Sequence, residues 1–253
     1  MAHMAAHLLG GVAGDFTVDA LLGGRVTLLQ PARGFRASLD PVLLSAFVAP
    51  PFGRFLDIGC GTGALSFLLC ARDAAATGVA VELQGPLVAL AEEGRARNGF
   101  GGRLELRAGD VRRLAPGLGA ARYDLVVTNP PFRPLEGGHL SPDESRALSN
   151  HEVALTLGHW TDIAARLVRP GGRVAAVFPA SRALELGAAL RARDLAPARV
   201  RFVHPRSDAP ASRVLVEAER GGRAPLVVEA PLVVHADGGE RFTPEVRAML
   251  GEA

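Results

Sequence analysis

From Arg54 onward, short apolar and β-branched runs alternate with longer stretches whose apolar residues recur every three or four positions. The short runs predict strands buried on both faces, and the longer ones predict helices laid against them. The expected strands are Phe55 to Ile58, Thr77 to Val81, Leu104 to Ala108, Asp124 to Thr128 and Arg173 to Phe178. The expected helices are Ala64 to Arg72, Pro86 to Asn98, Ala154 to Val168 and Arg182 to Arg193. Arg169-Pro170-Gly171-Gly172 stops the third of these. Two further β-rich runs, Arg199 to Val203 and Arg213 to Glu219, are expected to pair as an antiparallel hairpin at the sheet edge. The tail adds a β-rich run, Leu226 to Val234, and a closing helix, Pro244 to Leu250. Alternation of this kind is the signature of a mostly parallel sheet with helices on both faces.

The chain before Arg54 follows another pattern. Thr17 to Leu22 and Arg25 to Gln30 flank Gly23-Gly24, which reads as a hairpin. Asp40-Pro41 ahead of an apolar run predicts an N-cap followed by proline at the first helical position. That helix should reach about Val48 and stop before Pro50-Pro51. Internal repeats and low-complexity linkers are not seen. The expected organisation is an N-terminal hairpin-and-helix extension over residues 1–50 and one α/β domain over residues 51–253.

Composition narrows the class. Of 253 residues, 48% are hydrophobic, which suffices for a sizeable core and excludes global disorder. No apolar run reaches the roughly 18 residues that span a bilayer, and the start of the chain lacks a secretory pattern. Cys60 and Cys70 fit neither a disulfide framework nor a zinc pattern, so a reduced, cytoplasmic setting is expected. His139, His151 and His159 likewise lack metal-ligand spacing, and no metal is expected. Trp160 is expected to pack in the core. All 28 basic residues are arginine, against 26 acids, for a net charge of +2. The balance is uneven: Ser181 to Arg223 holds nine arginines and five acids, a local +4, leaving −2 elsewhere. This asymmetry favours an Arg-rich face toward a polyanion in the later half.

The candidate chemistry falls at the carboxyl ends of the strands, where ligands bind in open α/β sheets. Asp57-Ile58-Gly59-Cys60-Gly61-Thr62-Gly63 joins the first strand to its helix, and Gly59, Gly61 and Gly63 let the backbone turn sharply and approach a ligand. The spacing lacks the third glycine of the dinucleotide fingerprint. An acid at Asp57 disfavours two phosphates and favours a cofactor with a positive centre or an amino group. In the loop, Cys60 is expected to serve by its small size. Glu82 ends the second strand, where a carboxylate accepts both hydroxyls of a ribose. Asp110 follows the third strand, placed for the exocyclic amine of an adenine ring. The bland alternative for both acids is that they cap the helices that follow.

Asn129-Pro130-Pro131-Phe132 closes the fourth strand, because two prolines cannot continue a ladder. It holds an amide, a carbonyl between rigid rings and an aromatic at the sheet end, a set suited to presenting a planar exocyclic amine to an electrophile. The Asn129 oxygen and the Pro130 carbonyl each accept one N–H of the amine, Pro131 stiffens the backbone, and Phe132 stacks the base. The stretch Arg133 to Asn150, directly after the tetrad, is expected to touch substrate.

Together these residues resemble the class I S-adenosylmethionine-dependent methyltransferases. The resemblance covers roughly Gln30 to Phe178 and implies a Rossmann-like α/β fold: a mostly parallel seven-stranded sheet, helices on both faces and an antiparallel edge strand. It implies S-adenosyl-L-methionine as cofactor, with Asp57 to Gly63 under its methionine part, Glu82 on the ribose, Asp110 on the adenine and Asn129 shared between cofactor and acceptor. Asn129 to Phe132 is similar to the motif of members that methylate amino groups of nucleobases or of glutamine. Gln30-Pro31 with Gly34-Phe35-Arg36, Ser38 and Asp40, and more loosely Val203-His204-Pro205 with Ala211 to Glu217, are similar to the bacterial tRNA1(Val) (adenine-37-N6)-methyltransferase family. The resemblance implies adenine N6 of a tRNA as acceptor and RNA as partner; a monomer is expected. Two enzyme readings stay open, ribosomal RNA guanine-N2 and protein glutamine methylation. A non-catalytic RNA- or cofactor-binding module is the alternative from another class.

Overall fold

The computed structural model describes residues 15–33, 36–130, 155–236 and 239–252. β1 (Phe16–Leu21) and β2 (Val26–Pro31) pair antiparallel as the expected hairpin, with Leu21 opposite Val26. The reversal places Leu22, Gly23 and Gly24 at positive φ, which is why the pair of glycines falls there. The helix α1 (Asp40–Phe47) follows, with Leu39 at its N-cap. Asp40 does not cap it, contrary to the sequence expectation. Its carboxylate turns instead to Arg213, 3.2 Å away.

Strand and helix then alternate as the pattern predicts: β3 (Arg54–Ile58), α2 (Ala64–Arg72), β4 (Thr77–Glu82), α3 (Gly85–Arg97) and β5 (Leu104–Ala108). α4 (Val111–Leu118) comes next, a helix that the sequence reading leaves out. Pro116-Gly117 reads as a breaker, yet Val111, Ala115 and Leu118 are buried on one helical face, and tertiary burial holds the short helix together. β6 (Tyr123–Thr128), α5 (Leu157–Leu167), β7 (Val168–Pro179), a 3₁₀ turn over Ala180–Arg182 and α6 (Ala183–Arg191) complete the alternation. The Arg-Pro-Gly-Gly stop does end α5, but it forms the start of β7. The ladder jumps from Tyr123↔Val168 to Leu125↔Arg173, and the intervening residues are a bulge. The chain closes with β8 (Leu195–His204), β9 (Arg213–Arg220), β10 (Val227–Val228), β11 (Leu232–Val233) and α7 (Pro244–Leu250).

The main sheet runs β10-β8-β9-β7-β6-β3-β4-β5, and β11 also pairs with β8. Among the described residues it has nine strands against the expected seven, because β10 and β11, two residues each, extend the outer side of β8. β8 and β9 do form the antiparallel hairpin at the sheet's end. The antiparallel strand is not the edge, however: β9 lies between β7 and β8. A hairpin whose second strand turns inward places β8 parallel to β7, so the β8–β9 loop shares the carboxyl end of β6.

Neighbouring residues of each strand serve opposite cores. Phe55 and Ala80 join α1, α2 and the hairpin residues Val26 and Leu28 in one core. Leu56, Ile58, Val79 and Val81 join Trp160 and residues of α4, α5 and α6 in the other. The hairpin is fixed to α3 by Asn98, whose amide accepts from Thr27 N at 2.8 Å and donates to Thr27 O at 2.7 Å. This two-point contact carries the N-terminal segment to the edge of the site.

Candidate active site

The site begins with two adjacent parallel strands. Ile58 and Thr128, the last residues of β3 and β6, are register partners. The buried Thr128 hydroxyl donates to Ile58 O at 2.8 Å. The chain therefore leaves the sheet as the glycine loop on one side and as Asn129-Pro130 on the other, at the same height. The sequence reading needs this juxtaposition. A small cavity lies between them, lined by Asp57, Gly59, Cys60, Gly61, Thr62 and Asn129, with Ala37 and Pro41 of the N-terminal segment opposite. Ala37 falls within the Gln30-to-Asp40 stretch and Pro41 directly follows it, but the sequence alone does not mark either as a lining residue.

Gly59, Gly61 and Gly63 all have positive φ, 75°, 58° and 90°. Gly63 carries a second constraint: a Cβ there would stand 2.7 Å from the ring of Phe67. Val81 O accepts from Gly59 N at 2.9 Å and from Cys60 N at 3.1 Å, which ties the loop to the end of β4. The Glu82 carboxylate completes the tie, accepting from Gly61 N at 3.0 Å and from Gln84 N at 2.9 Å. Glu82 thus shapes the glycine loop, a role the sequence reading did not assign.

Asp57 lies in β3 beneath the loop and is fully buried. It accepts from the Ser66 hydroxyl at 2.6 Å, a partner in the first turn of α2 that the sequence pattern does not mark. Burial pushes the Asp57 carboxyl up from 3.8 to about 7; the Ser66 bond pulls it down and the Glu82 charge adds to the rise. The native protein therefore holds a proton that the unfolded chain gives up between pH of about 4 and about 7. Stability contributed by Asp57 is full below that window, falls as pH rises through it, and is flat above it. Asp57→Asn is expected to remove this slope, read from urea unfolding midpoints taken across the same pH range. The Cys60 thiol is buried and pushed well above its usual value, first by burial and then by the Asp57 and Glu82 charges, so it is a poor nucleophile.

Asp110 caps α4: its carboxylate accepts from Arg112 N at 2.9 Å and pairs with the Arg112 guanidinium, which holds it below the usual range. Those contacts correspond to the capping alternative. Pro130 follows Asn129 and is buried. Pro131, Phe132 and the stretch from Arg133 to Asn150 lie outside the described residues. Trp160 is buried in the core, as expected. No cluster of metal-ligating side chains occurs among the described residues.

The parallel sheet, the glycine loop at the end of β3 and the acids at the ends of neighbouring strands define a class I methyltransferase. Residues 38–143 match the model of the methyltransferase small domain. Among similar proteins, the tRNA1(Val) (adenine(37)-N6)-methyltransferase of Tolumonas auensis is 31% identical over 227 residues, 88% of this chain and 91% of that protein. The protein of the same name from Parabacteroides distasonis is 30% identical over 194 residues, 76% of this chain and 80% of that one. A release factor glutamine methyltransferase of Cereibacter sphaeroides is 33% identical over 184 residues, covering 68% of this chain and 62% of that one. A predicted O-methyltransferase from Agrobacterium tumefaciens shares the structure with a TM-score of 0.68 at 26% identity, over 85% of this chain and 97% of that one. The chain belongs to the tRNA1(Val) (adenine(37)-N6)-methyltransferase family and uses S-adenosylmethionine. The residues fit that cofactor. Thr62 Oγ1, in the glycine loop, is buried without a hydrogen-bond partner among the described residues. Asp57 lines the cavity beside it, with Gly59, Gly61 and Asn129.

Proposed function

We propose that the protein methylates the N6 amine of an adenine in a tRNA. The observation that carries this reading is the Ile58/Thr128 pairing, which sets Asn129 and Pro130 beside the glycine loop. S-adenosylmethionine supplies an electrophilic methyl group on a good neutral leaving group. The protein's task is to orient a nucleophile whose lone pair is shared with an aromatic ring. The Asn129 Oδ1 and the Pro130 carbonyl each accept one N–H, fixing the amine plane and raising electron density on nitrogen. Pro131 holds these acceptors in place and Phe132 stacks the base, which must be unpaired or flipped. The proton leaves after methylation, so no strong general base is needed. On the cofactor side, Asp57, Gly59, Gly61 and Gly63 take the methionine part, Glu82 the ribose and Asp110 the adenine.

The relatives named for tRNA1(Val) support this acceptor, two of them over more than three quarters of the chain. Glutamine methylation has less support: the chain covers 62% of the release-factor relative, and a hairpin precedes the domain here. Among the described residues no helix is long and apolar enough to cross a membrane, in keeping with a cytoplasmic enzyme. The RNA partner is also supported by charge, though less broadly than the arginine count suggests. Of the nine arginines from Ser181 to Arg223, five (Arg182, Arg193, Arg199, Arg201 and Arg213) pair with carboxylates. Arg206 is exposed on the β8–β9 loop, at the sheet end that carries Asn129. The test is transfer of labelled methyl groups to bulk tRNA from cells lacking this modification, followed by nucleoside digestion. Label in N6-methyladenosine is expected. Label in N2-methylguanosine, or in a release factor and not in RNA, overturns the assignment.

A further inference from the structure

We propose that Gln30 is a positioning residue for the cofactor, acting through a clasp that holds residues 37–41 as the wall of the pocket facing the glycine loop. The inference rests on the reading of that cavity as the methionine end of the cofactor site. Residues 37–39 of the wall connect the hairpin to α1 and have no ladder to hold them, and Asp40 and Pro41 begin the helix. Two of its residues, Ala37 and Pro41, line the cavity with Gly59, Gly61 and Asn129.

Gln30 is buried at the end of β2 and spends both halves of its amide. Its Oε1 accepts from Ala37 N at 2.6 Å, and its Nε2 donates to the Asp19 carboxylate across the hairpin. Glutamine matches this position because one neighbour is only a donor and the other only an acceptor. Arg36, next to Ala37, closes the clasp from outside. It pairs with Asp19 at 2.6 Å and donates to Thr17 Oγ1 at 2.7 Å and Pro31 O at 3.3 Å. The far end of the segment is anchored separately by the Asp40–Arg213 ion pair. A wall pinned at both ends is pre-formed. If the near pin is released, the segment samples other positions, and apparent cofactor affinity falls by the fraction of molecules that keep the pocket. The methyl-transfer step, set by Asn129 and Pro130, lies outside the clasp.

Gln30→Glu sets an acceptor against the Asp19 carboxylate and breaks the clasp. Adding Asp19→Asn restores one donor and one acceptor in the opposite sense. S-adenosylhomocysteine binding by calorimetry is expected to weaken about tenfold in Gln30→Glu and to return to within about twofold of the parent in the double variant. In methyl transfer, KM for the cofactor should rise in step while kcat at saturating cofactor stays within about twofold. Unchanged binding in Gln30→Glu, a loss of kcat without a change in KM, or failure of Asp19→Asn to restore affinity each overturns the proposal. Should Gln30→Glu not fold, Arg36→Met, at a partly exposed position, takes its place with an expected loss of about threefold. Unchanged affinity there is equally decisive against the clasp. Glu82→Ala, measured alongside, separates the two levels. If it weakens binding and the clasp variants do not, the clasp fails alone. If it too leaves binding unchanged, the placement of the cofactor pocket fails.

Discussion

Asn129→Ala lowers kcat for methyl transfer by about 10²–10³-fold, and it does so mainly without loss of cofactor affinity. Alanine keeps the backbone path after β6, because the Thr128–Ile58 bond and the buried Pro130 fix it independently of the side chain. On the proposed reading, the variant removes one of the two acceptors that hold the amine. The remaining Pro130 carbonyl can take a single N–H, and the amine plane is then free to turn about that bond. The lone pair points toward the reacting carbon in only a fraction of bound states. The check is single-turnover transfer to tRNA beside calorimetry with S-adenosylhomocysteine. Retained kcat removes Asn129 from the chemistry. Lost affinity with kcat preserved reassigns it to the cofactor, a contact that the pocket lining also allows.

Glu82→Ala raises the dissociation constant of the cofactor by about 10²-fold, through two effects that act in one direction. The carboxylate accepts from Gly61 N and Gln84 N, and both donors lose a charged partner. Hydrogen bonds to a charged group contribute about 1.5–3 kcal/mol each, so losing this pair is enough to loosen the glycine loop. On the proposed assignment the variant also removes the acceptor for the ribose hydroxyls. Glu82→Gln distinguishes these effects. It keeps an acceptor for Gly61 N and is expected to lose less affinity than alanine does. The two variants are compared by titration with S-adenosylhomocysteine, and equal losses mean that charge, not loop geometry, carries the effect. Thermal unfolding should fall in both, and further in Glu82→Ala, which leaves both amide donors of the buried carboxylate without it.

Hydrophobic period and turn chemistry are local, and whatever they encode could be read from the chain. β5, α2 and α7 have the expected bounds, and the hairpin reverses at Gly23-Gly24. The glycine loop and the Asn-Pro-Pro stop were legible for the same reason: each is a backbone conformation that few residue types permit. Partner choice was not legible. Asp40, Asp110 and Glu82 look alike in the sequence, as acids near helix starts. Folding gives Asp40 to Arg213, 173 residues away, Asp110 to its own helix and Glu82 to the glycine loop. Which donor reaches a carboxylate depends on which strands lie side by side and how far water is excluded, and neither is written in a window of ten residues. The same reason hid α4 behind Pro116, set β9 inside the sheet, and left the meeting of Gly59 with Asn129 to the register between β3 and β6.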